Sequence, residues 1–510
     1  MALSCAYLAF TVLWALPAFP ALHADEAWIG NYAQRIQESG VFSPHEMNTY
    51  TGPFYGWLVA KAFNLFGRTL TSLRAPGAVL NILAAWLMVW HLAKRVGSGS
   101  ALTFAYLLAS SPMFLMKSRV AWEVYALQNV LLAVLLTLGT GFAEGRRPGL
   151  AGITAFLLAN YLGVMNHFIF ISVPASLFLA LAAYVWLYGG EDRGFLALAG
   201  WSLLMAVGVY LVKPRLTEAA WDSWRPWSIV AAAALPFAFS AACAASLDRT
   251  QDILVRSLRG RAGGSAFRKV LVCGILAFGV YHFVAMVRIW SGVVVFERLV
   301  SWKPPLALSV PLHAWAAALL AAYFLFAVRN HAKEKLLALA PAERLLVFWP
   351  LVYAAIFIVF RDFSTIRYYV IPSFMISAGL AVVLPKIQRP ANPKVLAALA
   401  CMGVAVNLCV WKELLRPQDR RPIRFLIGRR WETSWDFTRK DSVIAELDRQ
   451  GICRLCQENG LIELPIFYLR GIPKVRCDDS KSATVRFCRE CEEPPFFKIE
   501  VHGPACEGKR

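Results

Sequence analysis

Two adjacent carboxylates, Asp25 and Glu26, directly follow the first apolar stretch of the sequence, residues 4–22. An ionised carboxylate can take a proton from a hydroxyl group, and a well-placed general base contributes roughly 10²–10⁴-fold to the rate of such a reaction. Apolar residues then recur at helical spacing and predict an amphipathic helix next to the pair; they are Trp28, Ile29, Tyr32, Ala33 and Ile36. The carboxylates also suit ordinary solvation at a membrane surface or the capping of a helix N-terminus. The residue types alone leave these interpretations open.

A second group of polar residues adjoins later apolar stretches. Arg119 and Glu123 lie one helical turn apart, so Arg119 is placed either to pair with Glu123 or to bind a phosphate. Glu123 also suits the first turn of a helix, where a negative charge complements the helix dipole. His167 lies in a short turn between two apolar stretches, where a lone histidine suits a structural role. Arg367 and Tyr368 precede another such stretch and suit the anchoring of a helix end at the interface.

Hydropathy defines the elements that position these residues. Of the 510 residues, 58% are hydrophobic and 16% are charged, and the mean hydropathy is +0.52. Soluble domains carry about 25% charged residues, so this composition excludes a soluble globular enzyme and a disordered chain. A membrane-spanning helix needs about 20 mostly apolar residues. About thirteen such stretches occur, at 4–22, 72–93, 101–116, 122–142, 150–165, 168–188, 195–212, 227–246, 269–290, 312–328, 345–360, 368–385 and 395–411. The sequence therefore predicts an all-α polytopic membrane protein.

The formal net charge of +20 does not indicate a nucleic-acid partner, because no RNA- or DNA-binding motif is present. The basic residues concentrate in alternate loops, at Lys94, Arg95, Arg146, Arg147, Arg193, 249–269, 329–344 and 386–394. Cytoplasmic loops are enriched in Lys and Arg, so we expect a multi-pass protein of the cell (inner) membrane with a cytoplasmic N-terminus. The loops that contain Asp25, Glu123, His167 and Arg367 are then extracytoplasmic, and so is the C-terminus if the span count is odd.

Composition also divides the chain into two predicted domains. Residues 1–415 form the transmembrane domain, and its first extracytoplasmic loop, 23–71, contains two predicted interfacial helices that begin near Glu26 and Phe54. A loop that packs on the bundle is the alternative. The first apolar stretch ends like a signal peptide, but no Lys or Arg precedes it, which favours a retained span.

Residues 416–510 are polar and are predicted to form a small extracytoplasmic α+β domain, with short strands at 474–476 and 483–487. Six of the eleven cysteines lie in it: Cys453, Cys456, Cys477, Cys488, Cys491 and Cys506. Disulfides are expected if the domain is outside the cell. Two Cys-x-x-Cys pairs suit zinc in a cytoplasmic setting, and free thiols are the third alternative.

Three segments together resemble a known enzyme class. They are Ala24-Asp25-Glu26-Ala27-Trp28, then Tyr50-Thr51-Gly52-Pro53-Phe54-Tyr55-Gly56-Trp57-Leu58, then Leu73-Arg74-Ala75-Pro76. In this order they resemble membrane glycosyltransferases of the GT-C class, of the protein O-mannosyltransferase and aminoarabinose transferase type, which use polyprenyl-phosphate sugars. In that class an acidic residue follows the first span, a Pro-containing aromatic stretch comes next, and an Arg-x-Pro motif opens the second span. The resemblance covers residues 1–190, and beyond them it rests on hydropathy.

The resemblance implies a GT-C-like bundle that transfers a sugar, with inversion, from a polyprenyl-phosphate donor to a hydroxyl group at the outer face of the membrane. The acceptor is a lipid, glycan or protein of the cell envelope. Asp25 is implied as the catalytic base, with Glu26 beside it and Glu123 at a second acidic position, where the class more often has Asp. The residues implied to bind the donor phosphate are Arg119, His167, Arg367 and Tyr368. Some members use a divalent metal, but no ligand spacing in this sequence identifies a metal site.

Two other function classes stay open on the sequence. A multi-span transporter or flippase of a lipid-linked substrate usually places charged groups inside its spans at mid-depth. Here the apolar stretches contain almost no acidic residues, and acids collect at one interface, which favours interfacial chemistry. A non-catalytic subunit of an envelope assembly becomes preferable if Asp25 lies far from any cavity.

Overall fold

The structure is a computed structural model of the 510-residue chain. It describes residues 2–14, 16–17, 24–39, 52, 54–121, 123–188, 194–218, 226–260, 270, 273–274, 277–281, 284, 310–311, 313–318, 321, 338–356, 370–387, 401, 405, 423–427, 430–434, 446–447, 449–452, 454–455, 481–487 and 497–503. Asp25 and Glu123 are described as helical residues, but their side chains lie outside the described part.

The described part of the N-terminal third consists mainly of helices. They are α1 (Ala2–Leu13), α2 (Ala24–Ser39), α3 (Phe54–Phe66), α4 (Leu70–Arg95), α5 (Ser98–Ala109), α6 (Pro112–Lys117), α7 (Glu123–Ala143) and α8 (Leu150–Asn166). Helix α4 begins with a capping box, in which the Thr69 hydroxyl accepts the Ser72 N–H at 3.1 Å and Ser72 Oγ accepts the Thr69 N–H at 2.9 Å. It ends at Arg95, and Gly97, which follows the C-cap residue Val96, has a φ of +133° that suits a residue without a Cβ. Both predicted helices of the 23–71 loop are therefore present, as α2 and α3.

Further along the chain, a short 3₁₀ helix (Phe168–Ile171) leads into α9 (Ser172–Tyr188). The later described helices are α10 (Phe195–Glu218), α11 (Pro226–Gly260), α12 (Pro341–Ile356) and α13 (Val370–Ile387). Helix α11 continues well beyond residue 246, where the predicted span ended. A hydrogen bond ties this extension to α10: Gln251 Oε1 accepts the N–H of Ala197, in the first turn of α10, at 3.0 Å.

Ion pairs define one end of the bundle, which we call the basic end. Its pairs are Arg95 with Glu144 at 2.7 Å, Arg147 with Asp248 at 2.5 Å, and Lys386 with Glu343 at 2.6 Å. These residues come from the ends of α4, α12 and α13, from the connection between α7 and α8, and from within α11. Described residues of several basic loops, among them Arg95, Arg147 and Lys386, therefore lie at one end. Which side of a membrane that end faces stays a prediction.

The core has two parts. The larger part fills the space between the long helices, and its fully buried aromatic side chains include Phe104, Phe156 and Phe170. The smaller part joins α2 and α3 to the first turns of α4 and α7. Within it, the rings of Trp28 and Tyr32 stack with centroids 5.2 Å apart. The helices α2 and α3 thus pack on the bundle as one unit.

Within the described residues, three helical segments are long and apolar enough to cross a membrane: Leu70–Arg95, Ala126–Ala143 and Phe168–Trp186. Four shorter apolar helices accompany them: Ser98–Ala109, Leu150–Asn166, Phe195–Leu211 and Ile371–Lys386. The predicted stretches at 269–290, 312–328 and 395–411 lie mostly outside the described residues. The count of about thirteen spans therefore stays a prediction.

One predicted span is broken in the structure. The stretch 101–116 divides into α5 and α6 at Ser110 and Ser111. Ser111 caps the new helix, because its hydroxyl accepts the Phe114 N–H at 3.3 Å. Pro112 follows at the first helical position, where its missing N–H has no consequence. Hydropathy continues through these residues, so it does not reveal the break.

The tail contains short strands. Strand β1 (Ile423–Ile427) pairs antiparallel with β2 (Arg430–Ser434). In a second sheet, β4 (Ser482–Phe487) pairs in parallel with β3 (Arg454–Leu455) and antiparallel with β5 (Phe497–His502). Strand β4 covers the segment 483–487 that the sequence predicted as a strand. The six tail cysteines and the predicted strand at 474–476 lie outside the described residues, so their disulfide, zinc or thiol state stays open.

Candidate functional site

A buried ion pair lies at the end of the bundle opposite the basic end. Arg74 Nε and Nη2 donate to the two carboxylate oxygens of Glu26, each at 2.9 Å. Both side chains are 0% exposed. Two parallel charge-assisted hydrogen bonds fix both the distance and the plane of the two groups. The remaining Arg74 nitrogen, Nη1, donates to the carbonyl oxygen of Leu16 at 2.9 Å.

Glu26 also accepts a third hydrogen bond. The backbone N–H of Ala121 donates to Glu26 Oε1 at 2.7 Å. One carboxylate therefore joins three parts of the chain: helix α2, helix α4 through Arg74, and the segment that precedes α7. Removing one partner of such a buried pair typically costs 3–5 kcal/mol. We call Glu26, Arg74 and Ala121 the junction.

Arg119 lies beside the junction and is fully buried. Its Nε donates to the carbonyl oxygen of Val12 in the last turn of α1 at 2.9 Å, and Arg74 binds the carbonyl oxygen of Leu16, three residues beyond that helix. Cations at this position complement the helix dipole. Burial, and then the charge of Arg74, lower the pKa of Arg119 to about 9. Arg119 therefore stays cationic at neutral pH.

The junction brings together the two acidic positions that the sequence singled out. Asp25 immediately precedes Glu26 in the first turn of α2, and Glu123 begins α7 two residues after Ala121. Because the Glu26 carboxylate is bonded directly to Ala121, the backbones at Asp25 and Glu123 are held at the same end of the bundle. Their side chains lie outside the described part, so any pairing of Arg119 with Glu123 is not described.

His167 lies at the same end, between α8 and α9. It is 1% exposed, and its Nδ1 accepts the N–H of Ile169 at 3.2 Å. A neutral ring with Nδ1 as acceptor carries its proton on Nε2. Next to it, the N–H of Gly52 donates to the carbonyl oxygen of Asn166 at 2.8 Å. This contact ties the long first loop to the end of α8, beside His167.

The expected residues thus separate into three groups. Asp25, Glu123, Arg119 and His167 belong to elements that meet at one end. Glu26, expected as part of a catalytic acidic pair, has both oxygens bonded to Arg74 and Ala121 and no exposed surface, which suits a positioning role. Arg367 and Tyr368 lie outside the described residues.

Sequence reasoning missed what Arg74 and Gly52 do. Arg74 was part of a recognised motif, but its partners were not identified. The sequence did contain a signal for this pair, because Arg74 and Glu26 carry opposite charges and the predicted topology places both at the same end of the bundle. Gly52 had a weaker signal as part of a Gly-Pro turn. A side chain there would collide with the carbonyl oxygen of Met165, a contact that no local pattern predicts.

In the described part of the chain, no group of three or more His, Cys, Asp or Glu side chains is arranged to hold a metal ion. The carboxylates of Asp25 and Glu123 do not belong to that part.

Comparison with known proteins rests on structure. No protein-family model and no curated protein sequence matches the chain. The oligosaccharyltransferase of Archaeoglobus fulgidus, solved with Zn and sulfate, superposes with a TM-score of 0.50 at 15% identity, over 93% of this chain and 57% of that one. ArnT from Cupriavidus metallidurans matches with a TM-score of 0.40 at 13% identity, over 95% of this chain and 92% of that one.

The chain spans little more than half the length of the archaeal oligosaccharyltransferase, and at this identity the likeness concerns the fold. The fold agrees with the apolar helices of the described part. The chain therefore has a GT-C-like fold, with helices long and apolar enough to cross a membrane.

Proposed function

We propose that the protein is a glycosyltransferase that moves a sugar from a polyprenyl-phosphate donor to a hydroxyl acceptor at the extracytoplasmic face of the membrane. The GT-C fold supports the reaction class. The donor type follows from the sequence resemblance over residues 1–190, and the side of the membrane follows from the basic loops.

The junction is the observation that carries the proposal. A fully buried carboxylate–guanidinium pair needs excellent geometry to offset the loss of solvation. Here the Glu26–Arg74 pair fixes the start of α2, where Asp25 lies, against the segment that leads to Glu123. Catalytic groups need such support, since a misplacement of about 1 Å can lower a rate about 10²-fold.

In the proposed reaction, Asp25 takes the proton of the acceptor hydroxyl. The acceptor oxygen attacks C1 of the donor sugar from the face opposite the phosphate, and the bond between C1 and the phosphate oxygen breaks. Its electron pair leaves with the polyprenyl phosphate, and the configuration at C1 is inverted. Phosphate is an acidic leaving group, so the protein does not need to protonate it.

The leaving phosphate does need positive charge. Arg119 is a cation at this end of the bundle, and His167 can present an N–H donor from its Nε2. Arg367 is a further candidate from the sequence, with Tyr368 beside it. A divalent metal, if one is bound, would stabilise the same negative charge, with Asp25 and Glu123 as the available carboxylates. Glu26 acts as a positioning residue.

The test uses purified protein, radiolabelled polyprenyl-phosphate sugars and membrane acceptors. Asp25→Asn is expected to lower transfer about 10²–10⁴-fold, as for the loss of a general base. Glu38→Gln is the matched control, because Glu38 lies on the same helix and its side chain is 56% exposed. Full activity of Asp25→Asn, or equal losses in both variants, would contradict the proposal.

Two further outcomes have a definite meaning. Movement of the lipid-linked sugar from one leaflet of a vesicle membrane to the other, without transfer of the sugar to an acceptor, would identify a flippase instead. Cysteine labelling that places residue 25 on the cytoplasmic side would overturn the proposed orientation. Neither outcome depends on which acceptor is chosen.

A further inference from the structure

Helices α4 and α7 run side by side in the same direction, from the junction to the basic end, and matched residues mark their contact. The matched pairs, in that order, are Gly77 with Ala126, Asn81 with Asn129, His91 with Thr140 and Arg95 with Glu144. Each step along α4 corresponds to a step of nearly equal size along α7. The contact therefore extends over about 27 Å of helix at 1.5 Å per residue. We call it the α4–α7 seam.

Most of the seam is small or aliphatic. A Cβ placed on Gly77 would lie 3.3 Å from Ala126 Cβ, and the intervening positions Ala84, Met88, Ala133 and Leu136 are buried. Among apolar helices in lipid, close packing of small residues favours association. Such packing does not by itself distinguish one register from another that is shifted by a turn.

The asparagine pair does distinguish between registers. Asn129 Nδ2 donates to Asn81 Oδ1 at 2.6 Å, and the two residues are at most 1% exposed. A shift of one turn, about 5.4 Å, would break this hydrogen bond between two buried amides. A single buried polar position of this kind fixes register in helical assemblies.

The junction depends on that register. Glu26 is bonded at once to Arg74, which lies on α4, and to Ala121, which precedes α7. The Asn81 amide also lies 3.5 Å from the carbonyl oxygen of Ser118, the residue before Arg119. A relative movement of α4 and α7 would therefore pull Arg74 and the 118–121 segment apart.

We propose that Asn81 and Asn129 are positioning residues that set the register of α4 against α7 and so hold the junction in its active geometry. Their catalytic consequence rests on the proposed function. The register itself does not, and it is measured separately.

The activity test compares single and double variants. Asn81→Leu or Asn129→Leu removes the hydrogen bond between the two buried amides and lowers both the Tm and the transfer rate, although in Asn129→Leu the Asn81 Nδ2 still donates to the carbonyl oxygen of Gly77 at 2.9 Å. In Asn81→Leu/Asn129→Leu both polar groups are absent, so the Tm recovers. The kcat for transfer stays at least about tenfold below the parent value, because the register is no longer specified. The KM for the donor changes little.

The control is Asn160→Leu. Asn160 is a fully buried amide on α8, and its Nδ2 donates to Phe156 of the same helix at 2.9 Å. This variant is expected to keep its kcat. Recovery of both Tm and kcat in the Asn81→Leu/Asn129→Leu variant would overturn the proposal, and so would a comparable loss of kcat in Asn160→Leu.

The register test does not use activity. Gly77→Cys and Ala126→Cys place two thiols at a separation close to that of a disulfide. Tyr55→Phe removes the hydroxyl that lies 2.9 Å from the added Cβ of residue 77. The yield of this disulfide, read by mass spectrometry, is expected to fall severalfold when both asparagines are leucine. An unchanged yield would refute the register role, even if the protein transferred no sugar from any donor.

Discussion

The two ends of the helical bundle carry charge in different ways. At the junction, Glu26 and Arg74 are fully buried and each is bonded to backbone as well as to the other. At the basic end, Arg147 and Asp248 are 69% and 74% exposed and form a simple surface pair. Surface pairs contribute about 0–1 kcal/mol, whereas a buried pair is costly to break.

The charged groups at the two ends therefore have different roles. Exposed cations, as at the basic end, help to determine the orientation of a protein in the membrane. The charged groups of the junction are buried, and they fix three segments of the chain to one another. We expect sugar transfer to take place at the junction end, where the charged side chains are buried and hydrogen-bonded.

The largest effect should come from breaking the junction. Arg74→Met leaves the Glu26 carboxylate buried without its partner, and we expect the free energy of unfolding to fall by about 3–5 kcal/mol. Thermal unfolding in detergent measures this as a lower Tm. An unchanged Tm would mean that the two ends do not differ as described.

The next effect tests the attachment of the first loop. Gly52→Ala adds a Cβ that meets the Met165 carbonyl, so the hydrogen bond from Gly52 to Asn166 is lost. We expect transfer to fall about 10–100-fold through misplacement of the loop, while the Tm changes little. The control is Gly208→Ala, where the added Cβ meets nothing within 4 Å. Equal activity of the two variants would show that the loop attachment is dispensable.

A smaller effect is expected for Lys386→Met at the basic end. Glu343 loses this partner but still accepts the Ala340 N–H at 3.0 Å. The expected loss is about 1 kcal/mol, as for a partly buried acceptor that keeps one bond. Denaturant or thermal unfolding measures it, and a loss as large as that of Arg74→Met would remove the contrast between the ends.

The smallest effect is expected for Arg147→Met. Its pair with Asp248 is solvent-exposed, so the change in unfolding free energy should stay below about 0.5 kcal/mol. Its Tm should match that of the parent protein within error. A clear loss would indicate that the basic end is also organised by specific pairs.

Local pattern predicted much of the fold but little of the junction. The amphipathic spacing after Glu26 predicted α2, and the apolar stretch at 122–142 predicted α7, because both depend on neighbours three and four residues apart. The division at Ser111 was missed, since hydropathy is continuous there although the capping hydroxyl is present. The pairing of Glu26 with Arg74 joins residues 48 positions apart. Only the packing of α2, α3 and α4 brings them together.

The hydrogen bond from Arg119 to the last turn of α1 also has a consequence for biogenesis. Val12 and its partner Arg119 are separated by 107 residues. At about 5–20 residues per second, a ribosome needs roughly 5–20 s to synthesise that interval. During that interval, the carbonyl oxygen of Val12 lacks its hydrogen bond from Arg119. Slowing translation between these two codons should therefore expose nascent chains to quality-control proteolysis at this point.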